Sequence, residues 1–307
     1  MPYAAKFTIE PVAPFSLDLS AQIFVGGDYH LRNYSNGVFQ QVLRVSNELV
    51  LAKLTSHGTI DDPQLTVELI SNTQLATWTK KEAEKTLRKI FNLDFELRNF
   101  YREVKNDQTM HRITQQLYGY KFPTTPTVFE SLVDAIVEQQ ISIKVARTIE
   151  ERIAKKFGDK IEIDGDCYYV FPTAKNMMGA STSDIQQVGL SKRKAEYIYN
   201  AAKFIVNGEL DLEEMSVETD VDRVVSMLDE VKGIGVWTAE LTMLRGMQRW
   251  DVLPADDFGI RRVISAYYCG GKPIKAPEAR EIAKVWGKWK GLAAFYLIVA
   301  EVKAIAV

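Results

Sequence analysis

The chain is poor in the residues that most often declare a chemistry. It holds two cysteines, Cys167 and Cys269, and three histidines, His30, His57 and His111, in 307 residues. Two thiols far apart in sequence make neither a disulfide framework nor a zinc site. They also cannot supply the four thiolates of an iron–sulfur cluster. The histidines show no metal-ligand spacing, so no metal is required and no organic cofactor is expected. No apolar run is long enough to span a bilayer. The start, Met-Pro-Tyr-Ala-Ala-Lys, lacks the apolar core of a signal peptide. A cytoplasmic location is therefore expected, nucleoid-associated in a prokaryote, with no membrane partner. Charge of one sign is also missing. The net value is −2, which does not announce a polyanionic partner.

What is present is an ordinary globular composition, 46% hydrophobic and 25% charged. The length suits one large domain or two to three modest ones. Basic charge is local. Lys192-Arg193-Lys194 opens one expected helix, Lys232 sits in a glycine hairpin, and Arg245, Arg249, Arg261 and Arg262 follow. Acidic residues gather elsewhere, at 211–214 and 218–222. Such polarity is compatible with phosphate contact. Each cluster alone also fits a solvated helix face.

Residues 1–75 read as strands. Phe15, Leu17 and Leu19 alternate, as do Leu43 and Val45, and Leu65, Val67 and Leu69. Asn36-Gly37 is a two-residue hairpin signal. Thr79-Lys80-Lys81-Glu82 reads as a capping box for a helix through Ile90. From there the pattern is helical to the end. Phe122-Pro123-Thr124-Thr125-Pro126 stops one helix and prepares another from about Thr127. Val128, Phe129, Leu132, Val133, Ile136 and Val137 give that helix a broad apolar face. Ser142 caps the next helix, whose expected core side is Val145, Ile149 and Ile153, with Gly158 closing it. Between the two helices lie Gln139 and Gln140, polar groups at a sharp junction or simply a solvated turn. Ser181 and Asp184 can start a short helix, and Ser191 caps one through Val206. Its expected buried side is Ala195, Ile198, Ala202 and Ile205, with Lys192 and Lys194 near its exposed start.

Residues 228–262 hold the densest signal. Val221, Val224, Val225 and Leu228 form an apolar stripe at helical spacing. Gly233-Ile234-Gly235 breaks it, and Trp237, Leu241 and Leu244 continue on a second helix. Glycine lets a backbone approach something closely and tolerates positive φ. Amides after Gly235 would leave a helix N-terminus, where phosphate is favoured. A plain helical hairpin with a glycine cap has the same pattern. About twenty residues on, Leu253-Pro254-Ala255-Asp256-Asp257-Phe258-Gly259-Ile260-Arg261-Arg262 places two aspartates before a helix start, where aspartate also serves simply as a cap.

These stretches resemble the helix-hairpin-helix glycosylases, specifically the AlkA-type 3-methyladenine DNA glycosylases. The carriers are Ala135-Ile136-Val137-Glu138-Gln139-Gln140-Ile141-Ser142, residues 188–195, 231–240 and 253–262, in the family's order. The resemblance covers nearly the whole chain and is clearest from Phe122 onward. It implies an α+β protein, an N-terminal antiparallel sheet domain followed by a mostly helical glycosylase core. The implied domains are 1–98 for the sheet and 99–307 for the helical region. Within the latter, 127–250 carries the hairpin 228–248, and 99–126 joins 251–307.

The resemblance further implies that Asp257 is catalytic, with Asp256 as second choice. Trp237, Gln139 and Phe258 fall at the base pocket. Gln140 takes the place of the wedge that fills the gap left by an extruded nucleotide, where AlkA has an apolar side chain. Lys232, Gly233, Gly235, Val236, Ser191 and Lys192 fall on the DNA side. The lyases of this fold carry a lysine nucleophile where Trp237 stands, so a monofunctional enzyme is implied. Leu241 and about Ile298 replace a family tyrosine and tryptophan. Phe24, Phe258, Trp289 or Tyr296 are the candidates to compensate. Trp286-Gly287-Lys288-Trp289 matches a family region before the last helix. Family members also bind a monovalent cation through carbonyls such as those of Val231 and Gly233. The expectation is a monomer that acts on double-stranded DNA with damaged bases, excising alkylated purines. A non-catalytic DNA clamp and a glycosylase/lyase for other damaged bases are the alternatives.

Overall fold

The computed structural model describes residues 2–305. The chain opens with β1 (Tyr3–Ile9), a short helix α1 (Leu17–Ser20) and a 3-10 turn (Ala21–Phe24). Then come β2 (Arg32–Ser35), β3 (Val38–Val45), β4 (Glu48–Gly58) and β5 (Pro63–Ser71). They form one antiparallel sheet in the order β1-β5-β4-β3-β2. Asn36 and Gly37, both at positive φ (51° and 76°), make the tight β2–β3 turn. β5 alternates strictly, with Leu65, Val67 and Leu69 inward. These side chains pack with Phe39, Leu54, Leu87 and Phe91 under helix α2 (Thr77–Ile90).

Two expectations for this region need correction. Leu17 lies in α1, capped by the Ser16 hydroxyl, and not in a strand with Phe15 and Leu19. A local cap overrides three alternating residues. The Thr79 capping box is also absent. α2 begins two residues earlier, without a side-chain cap, and buried Thr79 donates its hydroxyl to Glu48 on β4 instead.

α3 (Leu97–Val104) and α4 (Gln108–Gln116) follow, then α5 (Val128–Glu138) and α6 (Ile143–Phe157). The chain does not stay helical beyond this point. β6 (Lys160–Ile163) and β7 (Asp166–Tyr169) form a hairpin around Asp164 and Gly165, both at positive φ. The alternating Lys160-Ile161-Glu162-Ile163 and the Asp-Gly turn are the signals that the helical reading passed over. Ile161, Ile163, Tyr168 and Val170 cover the second face of the sheet through Val42 and Leu51, which is why β3 and β4 are buried on both sides.

Then come α7 (Ala174–Met178), α8 (Thr182–Gln186), α9 (Lys192–Val206), α10 (Leu212–Val217), α11 (Val221–Asp229) and α12 (Val236–Gly246). Their apolar sides join those of α5 and α6 in one cluster that includes Leu132, Ile136, Ile153, Ile198, Leu228 and Met243. Ile149 and Ile153 are in this core but Val145 is not; it is 49% exposed, and Ala146 takes the inward position. Ile205 of α9 is only partly buried against the same cluster. The chain ends with α13 (Phe258–Tyr268), α14 (Ala276–Ile282), a 3-10 stretch (Ala283–Trp289) and α15 (Lys290–Val302). These pack with α3 and α4 around Phe100, Trp286 and Tyr296. α5 and α12 cross closely: a β-carbon on Gly246 would stand 2.8 Å from that of Ser131. This crossing sets the end of α5 beside the start of α12. No helix among the described residues is long and apolar enough to cross a membrane.

Candidate active site

The site is built from three chain turns. The first is the junction after α5. Thr127 caps the start of α5, accepting the Glu130 amide at 3.1 Å, and Ser142 caps α6, accepting the Val145 amide at 3.4 Å. The residues between must reverse the chain. Gln140 does so at φ +55°, unusual for a residue with a side chain, and its side chain is exposed. Gln139 faces the other way. Its amide nitrogen donates to the Gly233 carbonyl and to the Thr238 hydroxyl, both at 3.0 Å. It therefore ties the junction to the hairpin.

The hairpin between α11 and α12 is the second turn. Gly233 sits at φ +98°, and a β-carbon there would stand 2.2 Å from the Tyr197 ring. Both facts demand glycine. Gly235 is different: its backbone is extended (φ −90°, ψ 179°), and an added β-carbon would meet nothing within 4 Å. Gly235 caps α12 without a side-chain acceptor, so the amides of the first turn face an open surface. Lys232, Gly235 and Val236 are exposed, while Ile234 is buried. Ser191 caps α9 through the Lys194 amide at 3.3 Å, and Lys192 is exposed nearby. The carbonyls of Val231 and Gly233 each accept an internal bond, from the Ile234 N–H and the Gln139 side-chain amide.

Each of the basic residues that follow the hairpin has a carboxylate or carbonyl partner within the chain. Arg245 is paired with Glu138 at 2.5 Å, and Arg249 holds Asp251 and the carbonyls of Glu218 and Thr219. Arg261 donates to the Ala255 carbonyl, and Arg262 pairs with Glu301. Proximity in sequence could not show that each has an internal acceptor.

The third turn places the aspartates. Leu253 and Ala255 are buried and anchor it. Asp257 caps α13, with Oδ1 accepting the Ile260 amide at 2.9 Å. Its Oδ2 accepts the Trp237 indole N–H at 3.2 Å. Gly259 keeps the carboxylate's cap position clear, since a β-carbon would come to 3.0 Å from Oδ1. Asp256 instead turns toward α14, 3.7 Å from Arg280, which also grips Glu240 with both terminal nitrogens at 2.9 and 3.2 Å. Burial raises the Glu240 carboxyl, and Arg280 opposes that shift. The two neighbouring aspartates thus have separate partners on separate helices.

Residues 133–288 match the family described as HhH-GPD superfamily base excision DNA repair protein. The chain belongs to this superfamily. It is 26% identical to the DNA-3-methyladenine glycosylase of Bacillus subtilis, over 85% of this chain and 86% of that one. It is 28% identical to DNA-3-methyladenine glycosylase 2 of Escherichia coli, over 58% and 60%. The solved 3-methyladenine DNA-glycosylase from Archaeoglobus fulgidus superposes with a TM-score of 0.86 at 28% identity, covering 98% of this chain and all of that one.

Within this HhH-GPD fold, several expected aromatics are not at the site. Tyr296 is fully buried and donates its hydroxyl to the Tyr120 carbonyl at 2.6 Å. Trp289 packs on Phe95 and Phe100, and Phe24 lies against Phe39 and Phe91 in the sheet domain. Their helical or strand context gave no hint of which core they join. Phe258 follows Asp257 directly and is 73% exposed. Leu241 is buried, and Ile298 is partly buried against the α13–α15 cluster. Sequence reading missed Thr238, Tyr197 and the Glu240–Arg280 pair. Only Gly233 hinted at Tyr197, because a required glycine implies a neighbour that leaves no room. Among the described residues, no group of three or more histidine, cysteine or acidic side chains is placed to hold a metal.

Proposed function

We propose that this HhH-GPD protein is a monofunctional DNA glycosylase that excises alkylated purines of the 3-methyladenine type, leaving an abasic site in double-stranded DNA. The observation that carries the reading is the Asp257–Trp237 contact. It fixes a carboxylate at a helix N-terminus, against the helix that the glycine hairpin leads into. Breaking the N-glycosidic bond develops positive charge on the deoxyribose. A fixed carboxylate stabilises that charge and can orient the attacking water. The water oxygen bonds to the anomeric carbon, the base leaves with the electron pair of the old bond, and the water's proton is lost to the carboxylate or solvent. The target base must first leave the stack. In this reading Gln140 fills the gap and the amides after Gly235 hold a backbone phosphate. Alkylated purines suit this site because many are cationic, weakly paired and good leaving groups. Trp237 supplies an aromatic face for such a base. It also stands where the lyases carry lysine, so no amine is offered for a Schiff base. The names of the relatives support the lesion class. The enzyme is read as a cytoplasmic monomer, nucleoid-associated in a prokaryote, that needs no organic cofactor.

The test is base release from methylated duplex DNA by wild type and Asp257→Asn, with strand cutting scored before and after alkali. Free methylpurine, with cutting only after alkali and loss in the mutant, is expected. Cutting without alkali would favour a lyase. DNA binding without release from a panel of damaged duplexes would favour a clamp.

A further inference from the structure

Lys194 is in the first turn of α9, the end of a helix where a cation is disfavoured. Its ammonium reaches out of that helix and bonds to carbonyls, not to a carboxylate. It donates to the Val137 carbonyl at 2.8 Å and to the Gln139 carbonyl at 2.5 Å. They are among the last carbonyls before the chain reverses at Gln140, and the Glu138 carbonyl between them accepts the Ile141 amide. A helix C-terminus leaves such carbonyls unpaired, and a cation there is favoured. Burial pushes the lysine below its ordinary value, so desolvation of the ammonium works against this placement.

The same few residues are held from the other side. The Gln139 side chain is bonded to Gly233 and Thr238, so Gln139 is gripped by its carbonyl from α9 and by its amide from the hairpin. Gln140, next in line, is left exposed at φ +55°. A residue with a side chain persists in that region when its surroundings fix it there. Ser191 completes the arrangement by capping α9 through the Lys194 amide.

We propose that Lys194 is a positioning residue for the wedge: its ammonium holds the turn after α5 so that Gln140 stands ready to enter the space vacated by an extruded nucleotide. The assignment rests on reading Gln140 as the wedge. Lys194 acts through Gln140 and touches no reacting atom. Preorganising the turn lowers the ordering cost of binding DNA whose base is already out of the stack. It matters much less for undamaged duplex, which is gripped through its phosphates.

The experiment compares binding of an abasic-site duplex and an undamaged duplex by wild type, Lys194→Met, Lys194→Arg and Gln140→Ala, and by Gln140→Ala combined with Lys194→Met. Thermal melting is recorded for each protein. Lys194→Met is expected to lose up to about fivefold in abasic-duplex affinity, no more than the loss of Gln140 itself, with undamaged-duplex affinity unchanged. Lys194→Arg should restore most of the preference, since a guanidinium can still donate to both carbonyls. In the Gln140→Ala background, Lys194→Met should add little, because the residue it positions is gone. A Lys194→Met protein that keeps the wild-type ratio of the two affinities overturns the proposal. So does an additive loss in the double variant, which is what a merely structural lysine would give. If Lys194→Met does not fold, Lys194→Arg and the Gln140→Ala comparison decide. Arginine failing to hold the ratio in a folded protein counts against the role. If wild type itself shows no preference for the abasic duplex, the wedge reading of Gln140 falls first, and the proposal with it.

Discussion

Two sets of polar side chains flank α5 and α6, and they are treated in opposite ways. On the hairpin side, Asp257 has a donor on each oxygen, and Gln139 is bonded to both a carbonyl and a hydroxyl. On the sheet side, Glu130 and Asp134 are buried, with half-buried Glu150 beside them, near Arg32 of β2. Asp134 Oδ1 and Glu150 Oε1 find no hydrogen-bond partner among the described residues. Burial, with repulsion among the acids, raises Asp134 well above the usual carboxylate range and Glu150 to about 7, against the pull of Arg32 on the first and of Arg245 and Arg32 on the second. A search guided by displaced titration alone would settle on this seam. The candidate chemistry lies on the other side, where geometry places a carboxylate beside an open hairpin. Displaced acids here mark where the sheet domain and α5–α6 are joined at a cost in stability.

That contrast can be broken experimentally. Asp257→Asn should lower single-turnover base release by about a thousandfold. Its melting temperature should hardly change, because asparagine also caps a helix. Asp256→Asn should stay within about threefold, since an exposed pair with Arg280 contributes little. An equal loss in both would assign the carboxylate role afresh.

Glu150→Gln should do the reverse, leaving excision intact while changing the pH dependence of stability. A carboxyl raised to about 7 is neutral and protonated in the folded state, where the unfolded chain would already have lost its proton above its ordinary 4.5. The folded state binds more protons across that interval, so wild-type stability falls as pH rises from about 4.5 through 7. Glutamine removes this slope. The gain over wild type should be absent at pH 4 and on the order of 3 kcal/mol at pH 8, read from urea unfolding at each pH. A parallel pair of pH profiles would count against the buried-acid account.

Gly233→Ala adds a carbon that the Tyr197 ring occupies and a φ that alanine resists. A loss of about 2 kcal/mol in unfolding free energy is expected, with weaker binding to any duplex. The same change at Gly235, which has open space, should leave stability within about 0.5 kcal/mol. Gln140→Ala should weaken abasic-duplex binding by about fivefold, one hydrogen bond's worth.

Much of the local structure was legible before any coordinates. Ser142, Ser181 and Ser191 cap the helices they precede, and Asn36-Gly37 makes its hairpin, because each depends on a bond spanning two or three residues. Where a local signal was weak, reading failed. Three alternating residues around Leu17 could not outweigh the Ser16 cap, and the Asp164-Gly165 turn was lost among helices. The hairpin glycines and the aspartates after Leu253-Pro254 stood out as a motif, and the family resemblance favoured Asp257, but the Trp237 contact that sets it apart from Asp256 did not show.

By itself, then, the sequence determined the caps, the turns, the apolar faces of α5, α11 and α12, and the order of motifs that carries the family. Those are encoded in neighbours along the chain. Tertiary structure alone decided which charges are available. Arg245 looks like a free cation in sequence and is spent on Glu138, 107 positions away. Lys194 looks like part of a basic patch and instead grips carbonyls 57 and 55 positions earlier. Trp237 and Asp257 meet across 20 residues, and Gln139 and Gly233 across 94. No periodicity records such pairs. They exist only once helices cross and bring distant turns to one face, and that face is where the candidate chemistry sits.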